Sequence, residues 1–258
     1  MRSVNDNVTY IDSNDMREKM KTICWFSCGV TSAVACKIAL RYYEDCEIIF
    51  IATGQEENDS FRFLDDCENW YHHEIKIIHN LHYCDAFDVW EKTRYLNGVN
   101  GARCTLELKK KMRYLIEDNL GDWNHQVFGF DASEHIRAHR FAEQNPKAKA
   151  VFPLIDKCLT KSDCMGILNN AGIDIPLMYR LGFPNNNCVG CVKGGKGYWN
   201  LIRHEFPDVF TRMSILEREI GHSCINGMFL DDMPKNIGRL PVIVPSCSLY
   251  CDPDFMDI

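Results

Sequence analysis

No stretch of the chain reaches the roughly 20 consecutive apolar residues that a membrane-spanning helix needs. Met1 to Lys21 is polar and charged, so nothing there reads as an export signal, and the compartment expected is the cytoplasm. Excess positive charge is missing as well. The formal net charge is −7, which argues against broad non-specific binding to nucleic acid and leaves only a local basic patch open. Internal repeats and low-complexity segments are absent. Together these absences set aside membrane-embedded and exported classes.

What the chain does have is cysteine. Fourteen of its 258 residues are Cys, and without an export signal they are expected to stay reduced, bind metal or do redox chemistry rather than form a disulfide framework. Cys24 and Cys36 fall in apolar segments and read as small core residues. Cys46, Cys67, Cys84, Cys158 and Cys164 have no partner at ligand spacing and receive no role. With 46% hydrophobic residues, the chain can bury one substantial core, or a large domain with a smaller appendage.

Residues 1–20 read as a polar leader, with Met20 as an alternative start. Ile23–Phe26 is then a strand, and the apolar positions from Ala33 to Leu40 suit a helix packed on a sheet. Glu47–Thr53 is a continuous apolar run suited to a parallel strand covered on both faces. Asp59–Tyr71 reads as a helix with Asp59 as its cap. Glu74–His79 and Gln126–Phe130 are further strands, and Asp85–Gly101 is irregular or partly helical. Ser162–Ala171, Trp199–Phe206 and Arg212–Ile220 read as helices, and later prolines deny long ones. This alternation predicts a doubly wound, mainly parallel α/β sheet of Rossmann-like type, with ligands at the carboxyl ends of its strands. The organisation expected is a nucleotide-binding domain over 21–155 and a cysteine-bearing region over 156–258.

Two loops fall at those strand ends. In Ser27-Cys28-Gly29-Val30-Thr31-Ser32 an apolar strand breaks into small and hydroxyl residues before a helix, an arrangement that aims backbone N–H groups at an anion. Gly29 is free to take the backbone angles of a phosphate nest, and Ser27, Thr31 and Ser32 add hydroxyl donors. The bland alternative is an ordinary buried strand turning into a helix. The second loop is Thr53-Gly54-Gln55-Glu56. Further on, Lys109, Lys110 and Lys111 can neutralise anionic oxygens or form a solvated basic face. Arg137 and Arg140 can hold phosphate bidentately or pair with Asp131 and Glu134. In Cys188-Val189-Gly190-Cys191 the spacing lets two thiolates converge on one metal or cluster, the alternative being a bare dithiol.

Ser27–Ser32 resembles the S-G-G-x-D-S PP-loop of the adenine nucleotide alpha-hydrolase superfamily, and the chain most resembles its phosphoadenosine phosphosulfate (PAPS) reductase family. Cys28 stands in place of a glycine and Thr31 in place of the aspartate. Ala52–Glu56 looks like that family's T-G-x-E segment, and Ala102–Lys109 is similar to its R-x-C-T-x-x-L-K or C-C-x-x-R-K segment. Gly129, Glu134 and Arg137 or Arg140 match a G-x-R-x-x-E-S-x-x-R stretch, in which Asp131 stands where an arginine is usual. Phe152–Ile155 and Ile175–Phe183 match two later segments.

The resemblance implies an adenine nucleotide (ATP, APS or PAPS) on Ser27, Cys28, Gly29, Val30, Thr31, Ser32, Thr53, Gly54, Glu56, Gly129, Glu134, Arg137 and Arg140. It implies a 4Fe–4S cluster, or zinc, on Cys104, Cys188 and Cys191, with Cys224 as fourth ligand and His222 as runner-up. The reaction implied is reduction of a sulfonucleotide to sulfite, with Cys104, Lys109 and the late Cys247 and Cys251 as catalytic candidates and a thioredoxin-like reductant as partner. The family's E-C-G-x-H motif is absent. The alternatives are an ATP pyrophosphatase, using magnesium and a sulfur donor, that adenylates a substrate for thiolation, and an inactive nucleotide-binding regulator. A homodimer and a nucleic-acid partner stay open.

Overall fold

The structure is a computed structural model that describes residues 21–120, 123–241 and 243. The polar leader over 1–20, and the tail that carries Cys247 and Cys251, lie outside the described residues.

Five parallel strands form one sheet in the order β3-β2-β1-β4-β5. They are β1 (Lys21–Phe26), β2 (Asp45–Ala52), β3 (Ile75–His79), β4 (His125–Val127) and β5 (Ala150–Val151). The first half supplies α1 (Val30–Tyr42), α2 (Asp59–Tyr71) and α3 (Ala86–Thr93). A π-helical turn over Thr105–Lys110 then runs into α4 (Lys111–Leu120). A 3₁₀ turn over Ala132–Glu134 leads into α5 (His135–Gln144). After β5 come α6 (Pro153–Asp156), α7 (Lys161–Asn170), α8 (Leu177–Arg180), α9 (Lys196–Glu205) and α10 (Pro207–Ile220). Among the described residues no helix is long and apolar enough to cross a membrane.

The sheet is doubly wound. Strand side chains alternate, so Cys24, Phe26, Ile48 and Phe50 enter a core with α1, α2 and α7, while Ile23 and Ile49 meet Ile116 of α4 on the other face. Burial on both faces is why β2 reads as an unbroken apolar run. Each Ile or Phe fully buried this way contributes roughly 1.5–3 kcal/mol. A second core gathers α3, the π-helical turn, α9, α10 and the loop around Val189 and Val192. Trp90 and Trp199 are its largest buried side chains. Cys24, Cys36, Cys46, Cys67 and Cys164 are all buried as small apolar residues.

Several local readings change. β4 stops at Val127 rather than Phe130, because the chain must leave the sheet to bring Gly129 against α1. β5, two residues long, carries no periodic signal. The irregular stretch after Asp85 contains α3, whose start Asp85 caps by accepting from Asp88 N at 2.7 Å. The last two helices start earlier than their apolar pattern suggests, at Lys196 and at Pro207, where proline suits a first helical position.

Asp59 is not the cap of α2; Asn58 holds that position. The Asp59 carboxylate instead accepts from Arg62 Nε at 2.6 Å, from Leu177 N at 2.7 Å and from Arg180 Nη2 at 3.1 Å. It therefore ties α2 to α8. The Arg62 guanidinium first, and the Leu177 amide after it, hold this carboxyl well below the usual carboxylate range. A depressed folded value means the stabilisation is complete above the ordinary carboxylate range and is lost as pH falls through the folded value. Asp59→Asn is expected to lower stability at pH 7 by about 1.5–3 kcal/mol. Denaturant titrations of both proteins should converge as the pH drops below about 4. A difference independent of pH would mean that packing, not charge, sets the effect.

Candidate functional site

The sheet order reverses at β1, so the topological switch point lies between β1 and β4, where doubly wound sheets bind ligands. The loop Ser27–Gly29 opens there. Gly29 is the N-cap of α1, and neither a capping side chain nor an acidic residue occupies the first turn. That leaves a positive helix end facing the loop. Ser32 Oγ accepts from Ser27 N at 3.0 Å and donates to the Gly29 carbonyl at 2.9 Å, which closes the loop on itself.

The residue in the left-handed region is Cys28, with φ 57°, whereas Gly29 is extended at φ −97°. The nest angle expected at Gly29 therefore sits one residue earlier, at the position where the motif has glycine. A Cβ there costs roughly 1–2 kcal/mol. Cys28 is 1% exposed and its side chain joins the first core, so its thiol is not presented to a ligand. Burial pushes its thiol well up.

Two close approaches define the walls. A Cβ on Gly129 would lie 2.6 Å from Ser32 Cα. Gly54 has φ +70°, and a Cβ there would lie 2.1 Å from the Cys84 carbonyl oxygen. Glu56 Oε1 accepts from Thr53 N at 2.9 Å and from Thr53 Oγ1 at 2.5 Å, which rigidifies the second loop.

The C-x-x-C loop docks on both nucleotide-loop candidates. Thr53 Oγ1 lies 3.1 Å from Cys188 Sγ, and Val189 N donates to the Gln55 carbonyl at 2.8 Å. Asn186 Nδ2 donates to the Cys28 carbonyl at 2.8 Å and to Ser60 Oγ at 3.0 Å. Tyr198 shapes the loop from beneath: its hydroxyl accepts from Gly190 N and Cys191 N and donates to the Cys188 carbonyl at 2.9 Å. Gly190, with φ +82°, makes the turn between the two cysteines.

Cys104, Cys188 and Cys191 line one cavity, together with Thr53, Lys109, Lys193 and Trp90. The π-helical turn contributes Thr105, Leu108 and Lys109 to it, a use for which such turns recur at functional sites. Burial, then the neighbouring Cys188 and Cys191, pushes the Cys104 thiol up to about 11, against Lys193 and the Trp90 indole. Burial raises Cys188 too, opposed chiefly by Lys109. Lys109 is raised in turn, mainly by Cys188. Cys224 is buried beside the Glu217 carboxylate and is raised by burial. It does not line the cavity that Cys104, Cys188 and Cys191 share. The runner-up ligand His222 points elsewhere, with Nε2 at 2.9 Å from the Asn97 carbonyl. Among the described residues, no three His, Cys, Asp or Glu side chains are already placed to hold one ion.

The third group of candidates is otherwise engaged. Asp131 and Glu134 form a capping box over the 3₁₀ turn. Arg137 pairs with Glu134 and lies over the Phe130 ring. Arg140 is exposed on α5. Ion pairing, the alternative open at the sequence level for Arg137, is what the structure contains.

A family model described as the phosphoadenosine phosphosulfate reductase domain matches residues 21–194. The chain belongs to this family. A PAPS reductase from Candida auris, solved as a phosphate complex, is a similar structure with 12% identity and a TM-score of 0.47; the match covers 66% of this chain and 81% of that one. The U34-tRNA thiolase NcsA from Methanococcus maripaludis, solved with its [4Fe-4S] cluster, is another, with 15% identity and a TM-score of 0.42. That match covers 83% of this chain and 77% of that one. A search of curated proteins finds no match.

Membership of the PAPS reductase domain family leaves Asn186, Tyr198 and Trp90 unexplained by motif, since only folding brings them to the loops. Asn186→Ala should loosen the C-x-x-C loop from Cys28 without touching a thiol. Alkylation of Cys188 and Cys191, followed by mass spectrometry, is expected to accelerate several-fold while the melting temperature stays close to that of the parent. Unchanged alkylation would show that Val189, Thr53 and Tyr198 hold the loop without Asn186.

Proposed function

We propose that this protein binds an adenine nucleotide over Ser27–Ser32 and performs cysteine-dependent sulfur chemistry on it, reducing a sulfonucleotide (APS or PAPS) to sulfite. The observation that carries this reading is the docking of the C-x-x-C loop on both nucleotide loops, with Thr53 Oγ1 3.1 Å from Cys188 Sγ. Thiol chemistry and an anion cradle then share one wall.

The α1 N-terminus and the Ser27, Thr31 and Ser32 hydroxyls take the phosphate oxygens. Thr53, Gly54 and Glu56 border the nucleoside, and Lys109 balances the anionic sulfonate. In the reaction a cysteine thiolate attacks the substrate sulfur. An S–S bond forms, the S–O bond to the phosphate breaks, and the nucleotide leaves with the electron pair. A dithiol of the thioredoxin class then attacks the cysteine sulfur, sulfite departs, and the dithiol ends as a disulfide. Cys104 in the cavity and Cys247 and Cys251, outside the described residues, are the candidate nucleophiles.

The donor set suits a metal. Cys104, Cys188 and Cys191 line one cavity, and thiolates select iron–sulfur clusters or zinc. Those three residues would hold the group, with Cys224 as the candidate for a fourth ligand. Bound there, it would supply a polarisable, thiolate-ligated centre beside the substrate site.

The test is turnover by anaerobically purified protein. Sulfite release from APS or PAPS, dependent on thioredoxin, supports the reading. Formation of AMP and pyrophosphate from magnesium ATP, with no sulfite from either sulfonucleotide, overturns it in favour of ATP-dependent thiolation. Nucleotide binding with no turnover of any of the three leaves a regulator.

A further inference from the structure

Tyr198, whose hydroxyl holds the C-x-x-C loop, stands in the first turn of α9. Helical spacing gives that helix two faces. Tyr198, Trp199 and Ile202 are buried in the second core. Gly197, Asn200 and Leu201 instead line a groove together with Lys235, Ile237 and Leu240. Residues 230–240 therefore run along the outer face of α9.

Among the described residues, no backbone hydrogen bond joins residues 234–241 to the rest of the chain. Side chains of α9 make the attachment instead. Asn200 Nδ2 donates to the Pro234 carbonyl at 3.1 Å and to the Ile237 carbonyl at 2.7 Å. Arg203 Nη2 donates to the Leu230 carbonyl at 2.9 Å and to the Met233 carbonyl at 2.8 Å. Its Nη1 donates to Asn200 Oδ1 at 2.8 Å. A guanidinium has donors only, so this bond fixes which end of the Asn200 amide faces the carbonyls. The backbones also touch. A Cβ on Gly197 would lie 2.6 Å from the Arg239 carbonyl oxygen, and one on Gly238 2.7 Å from Gly197 Cα. Further on, Ile243 packs against the first core.

We propose that residues 230–240 are a latch on α9 that sets how far Cys188 and Cys191 are exposed, with Asn200, oriented by Arg203, as its positioning residue. Held from outside, α9 keeps the Tyr198 hydroxyl on the backbone of Cys188, Gly190 and Cys191. Released, the first turn of α9 is free to shift and the loop loses those bonds. A segment with no backbone ladder of its own opens at lower cost than the core beneath it. The inference holds for a dithiol and for a metal site alike, so it does not rest on the reaction proposed above.

The experiment follows alkylation of each thiol in the reduced full-length protein by mass spectrometry, with the exposed Cys84 and Cys158 as internal references. Asn200→Asp keeps the side-chain shape and the bond from Arg203 but removes both donated bonds. Gly238→Ala lifts the segment off α9 by an independent route. Each is expected to speed alkylation of Cys188 and Cys191 about 5-fold, the change in an opening equilibrium that one net hydrogen bond gives. Cys84 and Cys158 should stay at the parental rate. Arg218→Ala frees Asp231 and Asp232 from α10 without touching α9, and should alter none of the four. Tyr198→Phe should speed Cys188 and Cys191 by itself, and adding Asn200→Asp to it should give no further increase.

Parental rates at Cys188 and Cys191 in either latch variant, with the fold intact, overturn the inference. Faster alkylation of all four cysteines, or an equal increase in Arg218→Ala, also overturns it, because general loosening of the second core would then be the cause. A full further increase in the Tyr198→Phe background overturns it as well, since the latch would not act through Tyr198.

Discussion

Serine in place of Cys188 or Cys191 is expected to abolish metal content and turnover together while the fold survives. A serine hydroxyl fills nearly the same space but does not ionise to a soft anionic ligand near neutral pH. The loss should exceed the roughly 10–100-fold that removing a mere supporting partner of a metal site costs. Of the bonds that anchor this loop, the contact of Thr53 Oγ1 with Cys188 Sγ depends on sulfur, and the others are made through backbone groups. Tyr198 holds it through backbone groups of Cys188, Gly190 and Cys191, and Val189 pairs with the Gln55 carbonyl. The melting temperature of metal-free protein should therefore be nearly the same in the variants and the parent. Iron, zinc and acid-labile sulfide analysis of anaerobically purified proteins decides the matter. Metal retained in both variants would remove the pair from the ligand set, and a metal-free parent would leave a dithiol. Cys224→Ser adds a third variant, because burial at 9% exposure suits either a ligand or a core residue.

Gly129→Ala is expected to damage the anion cradle from behind. The added Cβ would meet Ser32 Cα at 2.6 Å and Ser32 N at 2.7 Å, and both are backbone atoms that no rotamer change can move aside. Either the segment after β4 retreats or the first turn of α1 shifts. Overpacking of this kind costs about 1–3 kcal/mol. Ser32 is also the residue whose hydroxyl closes the loop on Ser27 and Gly29. Nucleotide affinity should therefore fall by at least 10-fold, beyond what the stability loss explains, when measured by calorimetry with ATP or APS on protein that is still folded. Parental affinity in a folded Gly129→Ala protein would place the nucleotide away from α1.

Sequence patterns made some parts of the fold legible for a physical reason. β1 and β2 are buried on both faces, so their continuous apolar runs mark them. The helix over Asp59–Tyr71 shows its stripe of Phe63, Leu64 and Cys67. β5 left no mark, because two residues cannot express a period. The left-handed angle was misplaced for another reason: glycine is the usual bearer of positive φ, but here Cys28 carries it and is compensated by burial in the core.

The candidate site divides along the same line. A short loop between a strand and a helix, and two cysteines three residues apart, are local patterns, so Ser27–Ser32 and Cys188–Cys191 stand out in the sequence alone. The phosphoadenosine phosphosulfate reductase domain family is equally a property of the ordered motifs over 21–194. Only the tertiary structure decided what those motifs touch. Asn186 reaches Cys28 across 158 positions, and Thr53 reaches Cys188 across 135. Such pairs carry no periodicity, because their proximity comes from the crossover order of the sheet and the packing of the second core. The same packing engaged Arg137 with Glu134 and set Trp90 in the wall of the cysteine cavity, since burial and hydrogen-bond satisfaction are settled by neighbours in space.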